Sequence, residues 1–276
     1  MSESLAVIPS YLSRPEDLEV LLVCLRTLRA TTDTDPAFGA NPDVLVVDDG
    51  SPVPALVDEL EGAKSELEFD LIRKGSNTGF STTVNVGLRR ALQEGRDAVL
   101  VNADIEFDTK GWLDVMVAQR TSDDTEAASV VGAKLVYPSG LIQHGGIFFS
   151  MLDRAFDHIH KYGPDNLPEA QYARRCPVTG ALHLIRHECL VSVGIYDETF
   201  KLGWEDVDYC LRVFKSGREC VYQPRARAIH HESMFRGRKN EKLQRWQVES
   251  WQRWLEKWGQ ESMGEFVPTL LDWKAA

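Results

Sequence analysis

Val44-Leu45-Val46-Val47-Asp48-Asp49-Gly50-Ser51 is four consecutive apolar residues, three of them β-branched, running straight into two carboxylates and a glycine turn. An unbroken β-branched run marks a strand buried on both faces, the kind found in a parallel sheet with helices on either side. Upstream, Leu5-Ala6-Val7-Ile8 reads as a first buried strand ended by Pro9, and Arg14-Pro15-Glu16-Asp17 opens a helix. Proline suits the first helical turn and acids suit its N-terminus. Leu18, Leu21, Leu22, Leu25 and Leu28 then repeat at helical spacing. Downstream the pattern predicts helices near 53–66 and 79–94, and strands near 69–73 and over Ala98-Val99-Leu100-Val101. Strand–helix alternation of this kind predicts a mostly parallel sheet with right-handed crossovers. The polar residues that close each strand would then gather at one edge, where open α/β sheets bind their ligands.

The second half changes character. Val130–Tyr137, Gly145–Ser150 and Ala181–Ile185 read as strands, whereas Thr31–Pro42 and Met151–Arg175 read as loops. The longer of these is polar and punctuated by Gly163, Pro164 and Pro168, and its length predicts a mobile lid over donor or acceptor. Beyond Asn240, Leu243, Trp246, Trp251, Trp254, Leu255 and Trp258 approximate one helical face that packs on the main domain. The expected organisation is a domain over 1–239, with halves at about 1–108 and 109–239, followed by a tryptophan-rich helix and tail over 240–276.

The 276 residues include 31 basic and 42 acidic side chains, a net charge of −11. Such a chain is a poor general partner for nucleic acid, because neutralising phosphates supplies most of that affinity. Arg225, Arg227, Arg236, Arg238, Lys239 and Lys242 nonetheless form a local basic cluster. The five cysteines (24, 176, 189, 210, 220) contain no C-x-x-C pair and are odd in number, which reads as buried thiols. No signal peptide and no apolar stretch of about 20 residues is visible, so the expectation is a cytoplasmic protein with at most peripheral membrane contact.

Five polar constellations carry chemistry. Asp48, directly after its strand, can accept hydrogen bonds from a base or ribose, while Asp49 shapes the turn. Lys74-Gly75-Ser76-Asn77-Thr78-Gly79-Phe80, followed by Asn85-Val86-Gly87, is a glycine turn entering a helix that could cradle phosphate. Asn102 and Asp104 stand two residues apart at a strand end, so both can face one Mg²⁺ or Mn²⁺. The His230-His231 pair offers an imidazole, with His230 the first choice as ligand and His231 the alternative. Finally, Gly203-Trp204-Glu205-Asp206-Val207-Asp208-Tyr209 places three carboxylates at a helix start, since Val207, Cys210, Leu211 and Phe214 follow at helical spacing. Mutual repulsion there is expected to raise at least one pKa, and Asp208, a step deeper, is expected to cap backbone N–H groups.

These motifs, together with Gln143-His144-Gly145-Gly146, Thr179-Gly180-Ala181 and His230-His231-Glu232-Ser233, resemble family 2 glycosyltransferases of the GT-A fold. The likeness is closest to the rhamnosyltransferase-like branch and spans roughly residues 4–240. Two departures stand out: Asn102-Ala103-Asp104 has one acid where many members have Asp-x-Asp, and Ile8-Pro9-Ser10-Tyr11 replaces a more usual Val-Thr-Tyr while keeping Tyr11. The resemblance implies inverting, metal-assisted transfer of a sugar from a nucleoside-diphosphate sugar to an acceptor hydroxyl on a glycan or glycolipid. It assigns the base to Asp206, the second acid of its pair, and the donor site to Pro9, Tyr11, Asp48, Asn77, Gly79, Phe80, Asn85, Asn102 and Asp104. Thr179, Gly180, Trp204 and Glu205 fall on the acceptor side, and Asp104 with His230 on the metal. Glycosylation of a macromolecule, modified DNA or protein, is the alternative within this fold, and a sugar-nucleotide-binding module without turnover is the alternative outside enzymology.

Overall fold

A computed structural model describes residues 4–32, 42–150, 155–232 and 241–259. Its first half is a parallel sheet. Strands β1 (Ser4–Ser10), β2 (Asp43–Asp48), β3 (Phe69–Arg73) and β4 (Asp97–Val101) lie in the order β4-β1-β2-β3. Helices α1 (Pro15–Thr31), α2 (Pro54–Gly62), α3 (Lys64–Leu67) and α4 (Phe80–Glu94) make the crossovers. Leu5, Ala6, Val7, Ile8 and Val44–Val47 are all buried, so the strands are covered on both faces as their composition requires. Pro9 does not end its strand. It pairs in register with Val47, while the pairing of β1 with β4 stops at Val7 against Leu100, so its missing N–H interrupts no ladder.

The second half extends the same sheet with mixed polarity. After β5 (Ile105–Glu106) and α5 (Trp112–Val117) come β6 (Val130–Val136), β7 (Ile142–His144), β8 (Ile147–Ser150), β9 (Ala155–His158), β10 (Arg174–Arg175), β11 (Leu182–Ile185) and β12 (Cys220–His230). The full order is β10-β12-β6-β11-β4-β1-β2-β3, with β5 on β12, β7 on β6, and β8 and β9 paired apart as a hairpin. Strand β11 runs antiparallel between β4 and β6, so the chain entering it lies beside the carboxyl end of β4. Helices α6 (His187–Val193) and α7 (Glu205–Lys215) cover the face shared with α4.

The stretch expected to be a loop over 151–175 is largely built structure where it is described. Strand β9 pairs with β8, a 3₁₀ turn spans Pro168–Gln171, and Asp165 is held by Arg227 Nε at 2.9 Å and, through its carbonyl, by Lys134 Nζ at 2.7 Å. Part of the expected loop at 31–42 and residues 151–154 lie outside the described residues. Helix α8 (Glu241–Trp258) packs as expected, with Trp246 and Trp254 buried and Trp254 fully so. Among the described residues, no helix is long and apolar enough to cross a membrane.

Candidate active site

The polar groups converge on the carboxyl edge of the parallel strands. Gly50 adopts φ +69°, and a Cβ there would lie 2.5 Å from the Ser76 backbone, so glycine alone lets the turns after β2 and β3 touch. Asp49 holds that junction: its carboxylate accepts from Thr78 N at 2.9 Å, Gly79 N at 3.0 Å and Lys74 Nζ at 2.8 Å. Asp48 is oriented by Ser51, whose N–H and hydroxyl both donate to it, while Ser51 Oγ accepts from Leu12 N at 2.6 Å. Tyr11 is 38 % exposed beside this turn. Three buried side-chain oxygens have no hydrogen-bond partner among the described residues and lie along this edge: Ser10 Oγ, Asn77 Oδ1 and Asn102 Oδ1. Buried polar atoms are rarely left unpaired, so their clustering marks a place for a polar ligand. Ser10 was not among the residues expected from the sequence; its position at the end of β1, one residue past Pro9, was the available signal.

Asn85 corrects the sequence expectation. It is fully buried, its Nδ2 donates to Tyr196 O at 2.9 Å and Glu198 Oε1 at 3.0 Å, and its Oδ1 accepts from Tyr196 N at 3.0 Å. Its amide ties α4 to the loop before α7. Gly79 and Phe80 share that structural duty. Gly79 takes φ +105° against the Lys201 carbonyl, which accepts from Phe80 N at 2.8 Å.

Asp104 and His230 meet through β5, where Ile105 pairs with His230. Asp104 Oδ1 lies 3.1 Å from His230 Nε2, and both residues are buried. His230 Nδ1 stands 2.6 Å from Gln143 Oε1, and Gln143 Nε2 donates to Glu232 Oε2 at 2.9 Å. Gln143 Oε1 must therefore accept, which puts a proton on His230 Nδ1 and turns Nε2 toward Asp104. His231 instead meets Glu106 Oε2 at 2.8 Å, so the two histidines face different partners.

Asp206 is bound to the same edge. Asn102 N donates to Ala181 O at 2.8 Å, and one residue earlier Gly180 N donates to Asp206 Oδ2 at 2.9 Å. Asp206 Oδ1 accepts from Val207 N at 2.8 Å, so both carboxylate oxygens are oriented at the N-terminus of α7 while the side chain stays half-buried. A Cβ on Gly180 would sit 3.1 Å from Tyr196 Oη and 3.3 Å from Asp206 Cβ, so glycine permits this approach. Thr179 N points at His144 Nε2 at 3.4 Å.

Asp208 is the second correction. Among the described residues it caps no backbone N–H. Fully buried, it receives Arg212 Nε at 2.9 Å, Lys257 Nζ at 2.8 Å and Trp258 Nε1 at 2.9 Å. The crowding expected of the three acids is relieved in this way: Asp206 takes backbone donors, and Asp208 takes two cations and an indole.

Beneath Asp206 lie imidazoles that the sequence reading did not single out as site residues, those of His144 and His183 buried and that of His158 half-buried. His144 Nδ1 is 2.8 Å from His158 Nδ1, and His183 Nε2 is 3.1 Å from Tyr196 Oη. Burial pushes His183 down to about 4 from the ordinary 6.5, against the opposing pull of Asp206. The unfolded chain binds that proton near 6.5 and the folded chain only near 4, so stability is whole above 6.5 and declines as pH falls through this window. Thermal unfolding between pH 4 and 8 should show the melting temperature dropping below about pH 6.5, with a shallower slope in His183→Gln. An identical slope in that variant would remove His183 as the cause.

All five cysteines are free and buried, and burial pushes Cys176 up to about 12 and Cys189 to about 11. Of the basic cluster, Arg227 is engaged by Asp108 and Asp165, while Arg236, Arg238 and Lys239 lie outside the described residues.

The sheet and its edge define a GT-A fold. Two solved structures share it: GalNAc-T7 with UDP, GalNAc and Mn²⁺ (TM-score 0.69, 16 % identity, covering 95 % of this chain and 49 % of that one), and a mannosyltransferase from Pyrobaculum calidifontis in complex with GDP-Man and Mn²⁺ (TM-score 0.60, 15 % identity, 97 % and 66 %). The model of glycosyl transferase family 2 matches residues 6–161, and the chain belongs to that family. Among its relatives, Uncharacterized protein y4gI of Sinorhizobium fredii is 31 % identical over 226 residues, 77 % of this chain and 24 % of that protein. The O-antigen biosynthesis protein RfbC of Myxococcus xanthus is 33 % identical over 147 residues, 51 % and 11 %. An N-acetylglucosaminyl-diphospho-decaprenol L-rhamnosyltransferase of Mycobacterium tuberculosis is 25 % identical over 188 residues, 61 % and 60 %. The last two agree with the rhamnosyltransferase-like branch that the motif order resembles. The chain spans about a quarter of the first relative's length and about a tenth of the second's.

Proposed function

We propose that the chain is an inverting glycosyltransferase that moves a sugar from a nucleoside-diphosphate sugar to a hydroxyl of a glycan or glycolipid acceptor. The observation that carries the reading is the chain of contacts Asn102–Ala181 and Gly180–Asp206, which holds an oriented carboxylate beside the Asp104–His230 pair. The donor's base and ribose lie against Pro9, Tyr11, Asp48 and the Asn77 turn, next to the unpaired oxygens of Ser10, Asn77 and Asn102.

Asp206 accepts the acceptor's hydroxyl proton as that oxygen attacks the anomeric carbon. The bond to the diphosphate oxygen breaks on the opposite face, and the configuration inverts. Gly180 N–H and Val207 N–H keep the carboxylate aimed while leaving it lone pairs for the proton. Asp104 and His230 suit a divalent cation such as Mn²⁺ or Mg²⁺: a carboxylate oxygen and an imidazole nitrogen converge, and the Gln143–Glu232 pair fixes the tautomer that ligation needs. Among the described residues, no group of three or more His, Cys, Asp and Glu completes a protein-only cage, which fits a cation that shares its shell with donor phosphates and water. When bound, such a cation would offset the charge of the leaving diphosphate.

A thermal-shift screen of nucleoside-diphosphate sugars with MnCl₂ tests the reading. One donor is expected to raise the melting temperature in a concentration-dependent way, and Asp48→Ala to weaken that donor at least about tenfold through loss of a charge-assisted contact. No stabilisation by any donor, or an unchanged dissociation constant in folded Asp48→Ala, would overturn the donor assignment.

A further inference from the structure

We propose that the cleft between α8 and Trp204 is an acceptor subsite that receives the apolar face of a hexopyranose ring. The inference rests on the reading of Asp206 as the base and gives the acceptor side its chemistry. The cleft has a volume of about 530 Å³ and is lined by Phe156, Trp204, Gln244, Gln247, Val248 and Trp251. That volume falls within the range of about 300–1,000 Å³ typical of small-molecule sites.

The aromatic wall is built in depth. Trp254 is fully buried and stacks on Trp251 with centroids 5.6 Å apart and planes 3° apart. Phe156 meets Trp254 edge-on at 4.9 Å and 80°. Trp251 is thus braced from behind and only half-buried, and Trp204 leans toward it at 5.4 Å with the rings tilted by 42°. Trp204 holds φ +65° directly after Gly203 at +86°. A bulky aromatic in the left-handed region is strained, and such strain gathers at ligand clamps. The twist sits two residues before Asp206, so the indole that walls the cleft shares a turn with the base.

The lining chemistry selects the ligand. Two indoles and a phenyl ring line the cleft with aromatic surface that suits the C–H bonds of a pyranose, and the two primary amides offer donors and acceptors to its hydroxyls. Among the described residues, no cation or carboxylate lines the cleft, and the polar groups it does present are uncharged amides. Among the described residues that line it, Val248 is the one aliphatic side chain, whereas a prenyl or acyl chain would call for a longer aliphatic channel.

Saturation-transfer NMR on the full chain tests this, with methyl α- and β-hexopyranosides as sugar probes and geranyl phosphate as the lipid probe. At least one glycoside is expected to show saturation of its ring C–H protons. Its dissociation constant should rise about tenfold in Trp251→Ala, the scale of one lost stacking contact, and rise also in Gln247→Ala, a partly exposed position where truncation spares the packing. UDP, GDP and dTDP binding with MnCl₂, read on the same samples, reports separately on the donor site and on folding. Absence of glycoside signals in the wild type, equal binding in both variants, or binding of geranyl phosphate alone overturns the subsite while leaving the donor reading in place. Loss of every nucleotide signal in the wild type would instead sink the transferase reading.

Discussion

Asp206→Asn is expected to lower the rate of sugar transfer about 10²–10⁴-fold, the usual cost of losing a positioned general base, while donor affinity stays close to wild type. Asparagine can still accept from Gly180 N–H at the 2.9 Å position through its amide oxygen, so the turn before β11 keeps its geometry, and only the local contact from Val207 N–H is lost beside proton acceptance. Transfer rate and donor dissociation constant, measured together, separate this from a folding defect. Near wild-type turnover in Asp206→Asn, with abolition in a folded Glu205→Gln variant, would move the base to Glu205. Asp208→Asn is a different experiment. Its carboxylate is fully buried between Arg212 and Lys257, and breaking a buried pair on one side typically costs about 3–5 kcal/mol; its signature is a lowered melting temperature.

The second large effect concerns the cation. Asp104→Ala is expected to weaken Mn²⁺ binding, measured with the donor diphosphate present, by about 100-fold or more. Removing a group that merely orients a ligand already costs about 10–100-fold. Gln143→Leu tests that lesser effect directly, because it frees His230 Nδ1 from the oxygen 2.6 Å away that sets its tautomer. His231→Ala should change affinity less than about twofold, as its imidazole faces Glu106 at the half-exposed end of β12. Electron paramagnetic resonance of free Mn²⁺ reads all three without reference to turnover. If His231→Ala abolished binding and Asp104→Ala did not, the ligand assignment would be wrong.

How far the sequence could be read depended on the length of each signal. The apolar runs of β1, β2 and β4 and the helices α1 and α4 were legible because each carries its own periodicity and burial. Strands β9 and β10 were not, since segments of four and two residues show no period, and β10 is held by β12 from far along the chain. The gathering of acids at strand ends was legible, but which atoms each would meet was not. Asn85 looked like part of a phosphate turn and proved to brace Tyr196, a contact across 111 residues. Asp208 looked like a cap, yet its partners Lys257 and Trp258 lie about fifty residues onward. His144 entered only as part of a resembled motif, His158 fell in a stretch read as loop and His183 in a short apolar strand; their arrangement around Asp206 exists only in three dimensions.

The docking of α8 has a consequence for how such proteins diversify. Asp208 stands two positions from Asp206, and its charge is answered by Arg212 within α7 and, from far along the chain, by Lys257 and Trp258, while Trp251 of the same helix walls the cleft beside Trp204. A relative that acquired a different C-terminal segment by recombination would leave this buried carboxylate to Arg212 alone, with two of its three donors gone. Positions 208, 257 and 258 are therefore expected to change together, and a helix exchanged at this end of the chain fits best when it brings a matching residue at the start of α7.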